Sequence, residues 1–175
     1  MTNRKFRYSS DTITKSLTLL HFIMFAVVAA ALYYLFDGGY MFAWFVSIAI
    51  AIVLLMLLSI PRYVVLNEEG IDICCISDHT HIEYDKIAYV RMVNKRSMRY
   101  MLPIFASVGF FGYYGVFLNL RKMDFVKIYA SKTGDSIEIV DIYEDKYYIS
   151  CNDLSELYNQ LNSAINHVTD EPQSI

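Results

Sequence analysis

Few residues in this chain have side chains able to do chemistry, and they are poorly grouped. His79 and His81 stand two apart, so on a strand they share a face, and two imidazoles there could hold a metal ion. No other His or Cys lies at ligand spacing, so the pair reads as exposed turn residues and no metal is expected. Cys74 and Cys75 are adjacent and point to opposite faces of a strand, while Cys151 is far along the chain. All three read as packing residues. The chain has no P-loop, no Rossmann glycine pattern and no Ser-His-Asp arrangement, so neither a catalytic residue nor a cofactor is expected. A formal net charge of −3 offers a nucleic acid no general attraction, and none is expected as a partner.

One charge pattern stands out. From Ile87 to Lys122 there is no acid, yet Arg91, Lys95, Arg96, Arg99, Arg121 and Lys122 are all present. The closing third carries Asp135, Glu138, Asp141, Glu144, Asp145, Asp153 and Glu156. Each Lys or Arg near an anionic leaflet contributes about 1 kcal/mol of attraction. Phe105, Phe110 and Phe111 lie in the same basic segment and are suited to dip into a membrane interface. Together these basic and aromatic residues are the candidates for facing lipid. The competing reading makes the aromatics core and the cations a solvated loop.

A membrane is invoked because of the first third of the chain. Leu17 to Phe36 and Tyr40 to Ile60 carry no charge and are separated by Asp37-Gly38-Gly39. About twenty helical residues span a hydrocarbon core roughly 30 Å thick, so the two runs predict a transmembrane hairpin. Arg4, Lys5, Arg7 and Lys15 precede the first run, and Pro61-Arg62 follows the second. That asymmetry places both termini in the cytoplasm and the turn outside, where Tyr33, Tyr34, Tyr40 and Trp44 cluster. Ala43, Ser47 and Ala51 form a small-residue stripe that could pack on Ala26 and Ala30. A cleaved signal peptide is the rival reading, but the first run is too long and a second follows at once.

From Arg62 onward the pattern is mainly β. Strands are expected at Tyr63–Leu66, Ile71–Ile76, His81–Val93 (broken near Asp85), Tyr114–Leu118, Phe125–Ala130, Ile137–Ile142 and Tyr147–Ile149. Asn67-Glu68-Glu69-Gly70 reads as a turn whose glycine takes positive φ. Leu154, Leu157, Tyr158, Leu161, Ala164, Ile165 and Val168 then recur at helical spacing, behind an N-cap at Asn152 or Asp153, the latter at capping-box spacing from Glu156. The uncharged stretch Tyr100–Leu120 could pass for a third span by length. Pro103 and Gly109, Gly112 and Gly115 argue instead for a bent strand and loop.

Three segments carry a family resemblance. They are the opening Tyr63–Ile76, the glycine-spaced Gly109-Phe110-Phe111-Gly112-Tyr113-Tyr114-Gly115-Val116-Phe117, and the ending Tyr148–Asp153 that runs into the last helix. In this order they resemble the bacterial pleckstrin-homology (PH)-like domains. The resemblance implies a bent seven-stranded sheet or open barrel capped by a C-terminal helix, beside membrane helices and without catalytic residues. The acidic Asn67–Gly70 turn departs from inositol-phosphate-binding relatives, which carry Lys and Arg there. The expected organisation is a cytoplasmic basic arm (1–16), transmembrane helices (17–36 and 40–60), a PH-like cytoplasmic domain (62–168) and a flexible tail (169–175). The expected function is a non-enzymatic interaction domain at the cytoplasmic membrane, binding a protein partner, itself or anionic lipid. The alternative is an accessory or sensory subunit of a larger membrane complex.

Overall fold

The computed structural model describes residues 4–8, 11–36, 39–76, 79–132 and 134–170, with side chains described to residue 166 in the last stretch. The Asp37-Gly38 part of the hairpin turn and the tail beyond residue 170 lie outside the described residues. The apolar runs form helices α1 (Thr12–Leu35) and α2 (Tyr40–Leu58). α1 begins well before Leu17 because Asp11 caps it, its side chain accepting from the Thr14 N–H at 2.8 Å. α2 stops ahead of Pro61, which forces the residue before it out of helical geometry. Both helices are long and apolar enough to cross a membrane, and only 6% of the apolar window of α1 and none of that of α2 is buried in the protein. The core helix of a soluble domain would be covered.

The packing between the helices corrects the small-residue expectation. Above the level of the domain the half-buried positions include Phe25, Ala29 and Leu32 on α1, and Phe42, Phe45, Val46, Ala49 and Val53 on α2. Tyr33 meets Phe42 edge-on at 5.4 Å. Ala26, Ala30, Ala43, Ser47 and Ala51 are all exposed, and of these only Ala26 borders the interhelical groove. Bulky rings share the contact with Ala29 and Ala49, which turns Ala30, Ala43, Ser47 and Ala51 outward. One residue of phase error is a rotation of about 100°.

Sheet A has the order β1 (Arg4–Arg7), β2 (Pro61–Leu66), β3 (Gly70–Cys75) and β4 (His79–Glu83). Its first strand is part of the arm that precedes α1. Arg4–Arg7 pairs antiparallel with Tyr63–Leu66, and Phe6 sits opposite Val64. The helical hairpin is therefore, in topology, the connection between two neighbouring strands. Gly70 is required for a different reason from the one expected. Its φ is not positive; instead an added Cβ would lie 2.3 Å from the Ile82 carbonyl oxygen across the β3–β4 pair.

Sheet B comprises β5 (Ile87–Val93), β6 (Met101–Val108), β7 (Tyr113–Asn119), β8 (Asp124–Ala130), β9 (Ser136–Asp141) and β10 (Lys146–Ser150). Its order is β5-β9-β10-β8-β7-β6, with β10 and β8 parallel and the other pairs antiparallel. The described residues thus hold ten strands in two sheets where the resemblance implied seven in one. The His81–Val93 run is split by a 3-10 turn at Tyr84–Lys86, Tyr100–Leu120 folds as the β6–β7 hairpin, and the arm adds β1.

The main core lies between sheet A and one face of sheet B. Phe6, Val64, Ile71 and Ile73 meet Ile137, Ile139 and Ile149 there. Helix α3 (Leu154–Asp170) closes it with Leu157, Leu161 and Ala164. Cys151 belongs to the same core, and burial pushes its thiol up to about 12. Glu156 does not complete a capping box: its carboxylate binds Arg4 of β1 at 2.6 Å, and the Asp153 carbonyl caps the helix by accepting from the Glu156 and Leu157 N–H groups.

Candidate functional site

The second face of sheet B curls into a concavity with its own small core of Val93, Phe117, Val126, Ile128, Ala130 and Tyr148. Strand alternation puts Arg91, Glu138 and Tyr148 on this face as well. Glu138 is fully buried, paired with the Arg91 guanidinium and accepting from the Tyr148 hydroxyl at 2.8 Å. The hydrogen bond to Glu138 raises the Arg91 pKa, and burial raises that of the Tyr148 phenol. Lys146 and Asp124 form a second pair on the same face. Arg91→Leu should destabilise the domain by about 1–3 kcal/mol, since it leaves a buried carboxylate without its cation. Because Arg91 is half exposed, water limits the loss. Denaturant unfolding measures it, and a midpoint equal to that of the unmodified protein would contradict the assignment.

Beyond this core the concavity stays open as a cavity of about 910 Å³. Met98, Met101, Val108, Tyr113, Phe117 and Ile128 form its apolar wall. A 3-10 segment, Lys95–Tyr100, crosses its open side between β5 and β6 and brings Lys95, Arg96 and Arg99 to its rim. All three cations are exposed, and among the described residues none has an ion-pair partner. The one acid at the rim, Asp135, accepts from the Lys95 backbone N–H at 3.3 Å.

Strand register shows which end of the sheet meets the helices. Val93 lies opposite Ser136 at one edge, while Ser150, Ala130, Tyr113 and Val108 fall in line toward the other. Just past this row, the Gly109–Gly112 turn docks on the base of α1. The Thr18 hydroxyl accepts from the Phe111 N–H at 2.9 Å and shares its one proton between the Gly109 carbonyl at 3.0 Å and the Thr14 carbonyl of its own helix at 2.8 Å. The Thr14 hydroxyl donates to the Ser131 carbonyl at 3.4 Å. Phe110 is 1% exposed, with its ring against His21 and Phe22. From β7, the Tyr114 hydroxyl donates to the Met56 carbonyl of α2 at 2.8 Å. Asn94 and Lys95 follow Val93 at the end of β5 in register with this row, whereas Arg99 and Tyr100 precede Met101, which pairs with Asn119 at the opposite end.

The basic and aromatic candidates therefore do not form one surface. Lys95, Arg96 and Arg99 gather at the cavity. Arg91 is committed to Glu138. Arg121 and Lys122 lie in the β7–β8 turn at the far end of the sheet, about 20 Å from the docked turn for seven strand residues. Arg121 rests over the Tyr100 ring at 4.1 Å. Phe105 is 82% exposed and Phe111 partly so, whereas the covered ring of Phe110 cannot face lipid. His79 and His81 both lie against Asp72, at 3.1 and 2.5 Å. Among the described residues no group of three or more His, Cys, Asp or Glu could hold a metal ion. Sequence reading missed Thr14 and Thr18, although two threonines four apart below an apolar run mark one polar helix face. It also missed Met98, Tyr113 and Asp135, which only sheet curvature brings together.

No curated protein and no solved structure matches the chain. A family model described as "Bacterial PH domain" matches residues 62–165, from β2 to within α3. Such domains are generally non-catalytic interaction modules. With the two-sheet architecture and the closing helix, that match makes the chain a member of the bacterial PH domain family, preceded by two helices able to cross a membrane.

Proposed function

We propose that this protein is a membrane-anchored, non-enzymatic interaction module. Its hairpin crosses the cytoplasmic membrane twice, with both termini inside. The PH domain lies against the cytoplasmic leaflet and binds a protein partner, a second copy of itself or anionic lipid. The observation that carries this reading is the attachment of the domain at both ends of the hairpin. β1 and β2 are hydrogen-bonded neighbours, so a chain that leaves through α1 must return through α2 to the same side. Thr18 and Tyr114 add a bond from the domain to each helix, which limits tilt relative to the bilayer. The basic arm supports the inward orientation.

A reporter fused after Ile175 tests the reading. A fluorescent protein there should fold and glow, and alkaline phosphatase should be inactive. Active phosphatase would place the domain outside and sink the proposal. The accessory-subunit reading draws on the outward-facing Ala43, Ser47 and Ala51, which leave α2 a smooth face for another span. A stoichiometric second membrane protein retained through mild solubilisation would favour it.

A further inference from the structure

We propose, resting on the inner-leaflet reading above, that the concave face of sheet B binds one anionic phospholipid. Its acyl chain lies in the cavity and its headgroup lies among Lys95, Arg96 and Arg99. The space is real: about 910 Å³ falls within the range of roughly 300–1,000 Å³ usual for small-molecule sites. Its wall is apolar and incompletely covered, with Val108 exposed and Met98, Met101 and Tyr113 only half-buried. A sheet face of this kind ordinarily packs on another layer. Among the described residues the element lining the open side is the short 3-10 segment, which leaves a void between itself and Phe117 and Ile128.

Charge identifies the occupant. A neutral apolar molecule would leave three rim cations unmatched, and a small hydrophilic anion would leave the methionines, Phe117 and Ile128 unfilled. An alkyl chain ending in an anionic group satisfies both. The inner-leaflet reading selects the source: a domain tied to both helices by Thr18 and Tyr114 stays beside the bilayer, where anionic phospholipid is the abundant amphiphile. Among the described residues lining the cavity the one acid, Asp135, is turned to the Lys95 backbone N–H.

The test uses the full chain in nanodiscs of equal phosphatidylglycerol and phosphatidylcholine, released into mild detergent for native mass spectrometry. One phosphatidylglycerol retained per chain is expected, in preference to phosphatidylcholine. Filling the cavity with Val108→Trp, and separately reversing the rim with Lys95→Glu, Arg96→Glu and Arg99→Glu together, should each cut retention at least about tenfold. The rim residues are exposed, so the triple variant keeps the test valid if Val108→Trp fails to fold. Retention unchanged in the triple variant, equal retention of phosphatidylcholine, or displacement by equimolar oleate would each overturn the proposal. Failure here with a cytoplasmic reporter after Ile175 removes the lipid site alone; an external reporter removes the reading beneath it.

Discussion

Phe6→Ala is expected to destabilise the folded domain by about 3–5 kcal/mol, the usual cost of emptying a buried aromatic site. Phe6 is 4% exposed and packs in the main core although it precedes the helical hairpin. It is the inward-facing residue of a strand whose other members, Arg4, Lys5 and Arg7, are exposed. A domain of this size is stable by roughly 5–15 kcal/mol in total, so the loss is a large share of it. Thermal unfolding in detergent, followed by near-ultraviolet circular dichroism, should show a midpoint lower by more than about 10 °C. Lys5→Ala, which removes only a cation over the Tyr63 ring, should shift it far less. Equal midpoints for the two variants would show that β1 is not part of the stable core. The same logic applies to a fragment beginning at Arg62, where the family match starts. It would lack β1 and leave the edge of β2 open, and an open edge invites association with other chains. Such a fragment should aggregate or unfold, and binding measured on it would say little about the intact protein.

The second large effect is expected at the dock. Gly109 has φ +80, and an added Cβ would lie 2.7 Å from Leu17 Cδ1 and 2.9 Å from Leu17 Cβ. Gly109→Val therefore combines backbone strain of about 1–3 kcal/mol with a collision against α1. The turn should leave the helix, exposing Phe110 and freeing the Phe111 N–H. Hydrogen exchange reads this locally: Phe111 should lose its protection while the amides of β9 and β10 keep theirs. Thr18→Val removes the same hydrogen bonds without the collision and should act in the same direction, more weakly. Unchanged exchange at Phe111 in both variants would mean that the dock does not hold the domain to the helix.

Both effects concern residues whose importance is invisible to local pattern. The two apolar helices are legible because about twenty uncharged residues are a strong, contiguous signal. The strands from Tyr63 to Ile149 and the face of α3 are legible because alternation and helical spacing depend on near neighbours alone. Arg4–Arg7 contains a single apolar residue, so nothing within it marks a strand; it becomes one only because α1 and α2 return the chain to its side. Phe110 and Phe105 read alike in sequence, yet one is covered by α1 and the other stands in the open.

By itself, then, the sequence determined the two apolar helices, the mainly-β composition of the rest and the closing helix. Each follows from composition and short-range period. The tertiary structure decided which cations act together and which are committed elsewhere. Arg91 and Lys95 lie four residues apart in the chain, but strand alternation turns the first toward Glu138, and the end of the strand releases the second to the cavity rim. It also decided that the helical hairpin and the domain are joined, because the pairing of β1 with β2 and the bonds from Thr18 and Tyr114 link residues far apart in sequence. Such long-range contacts leave no periodic trace for sequence reading to find.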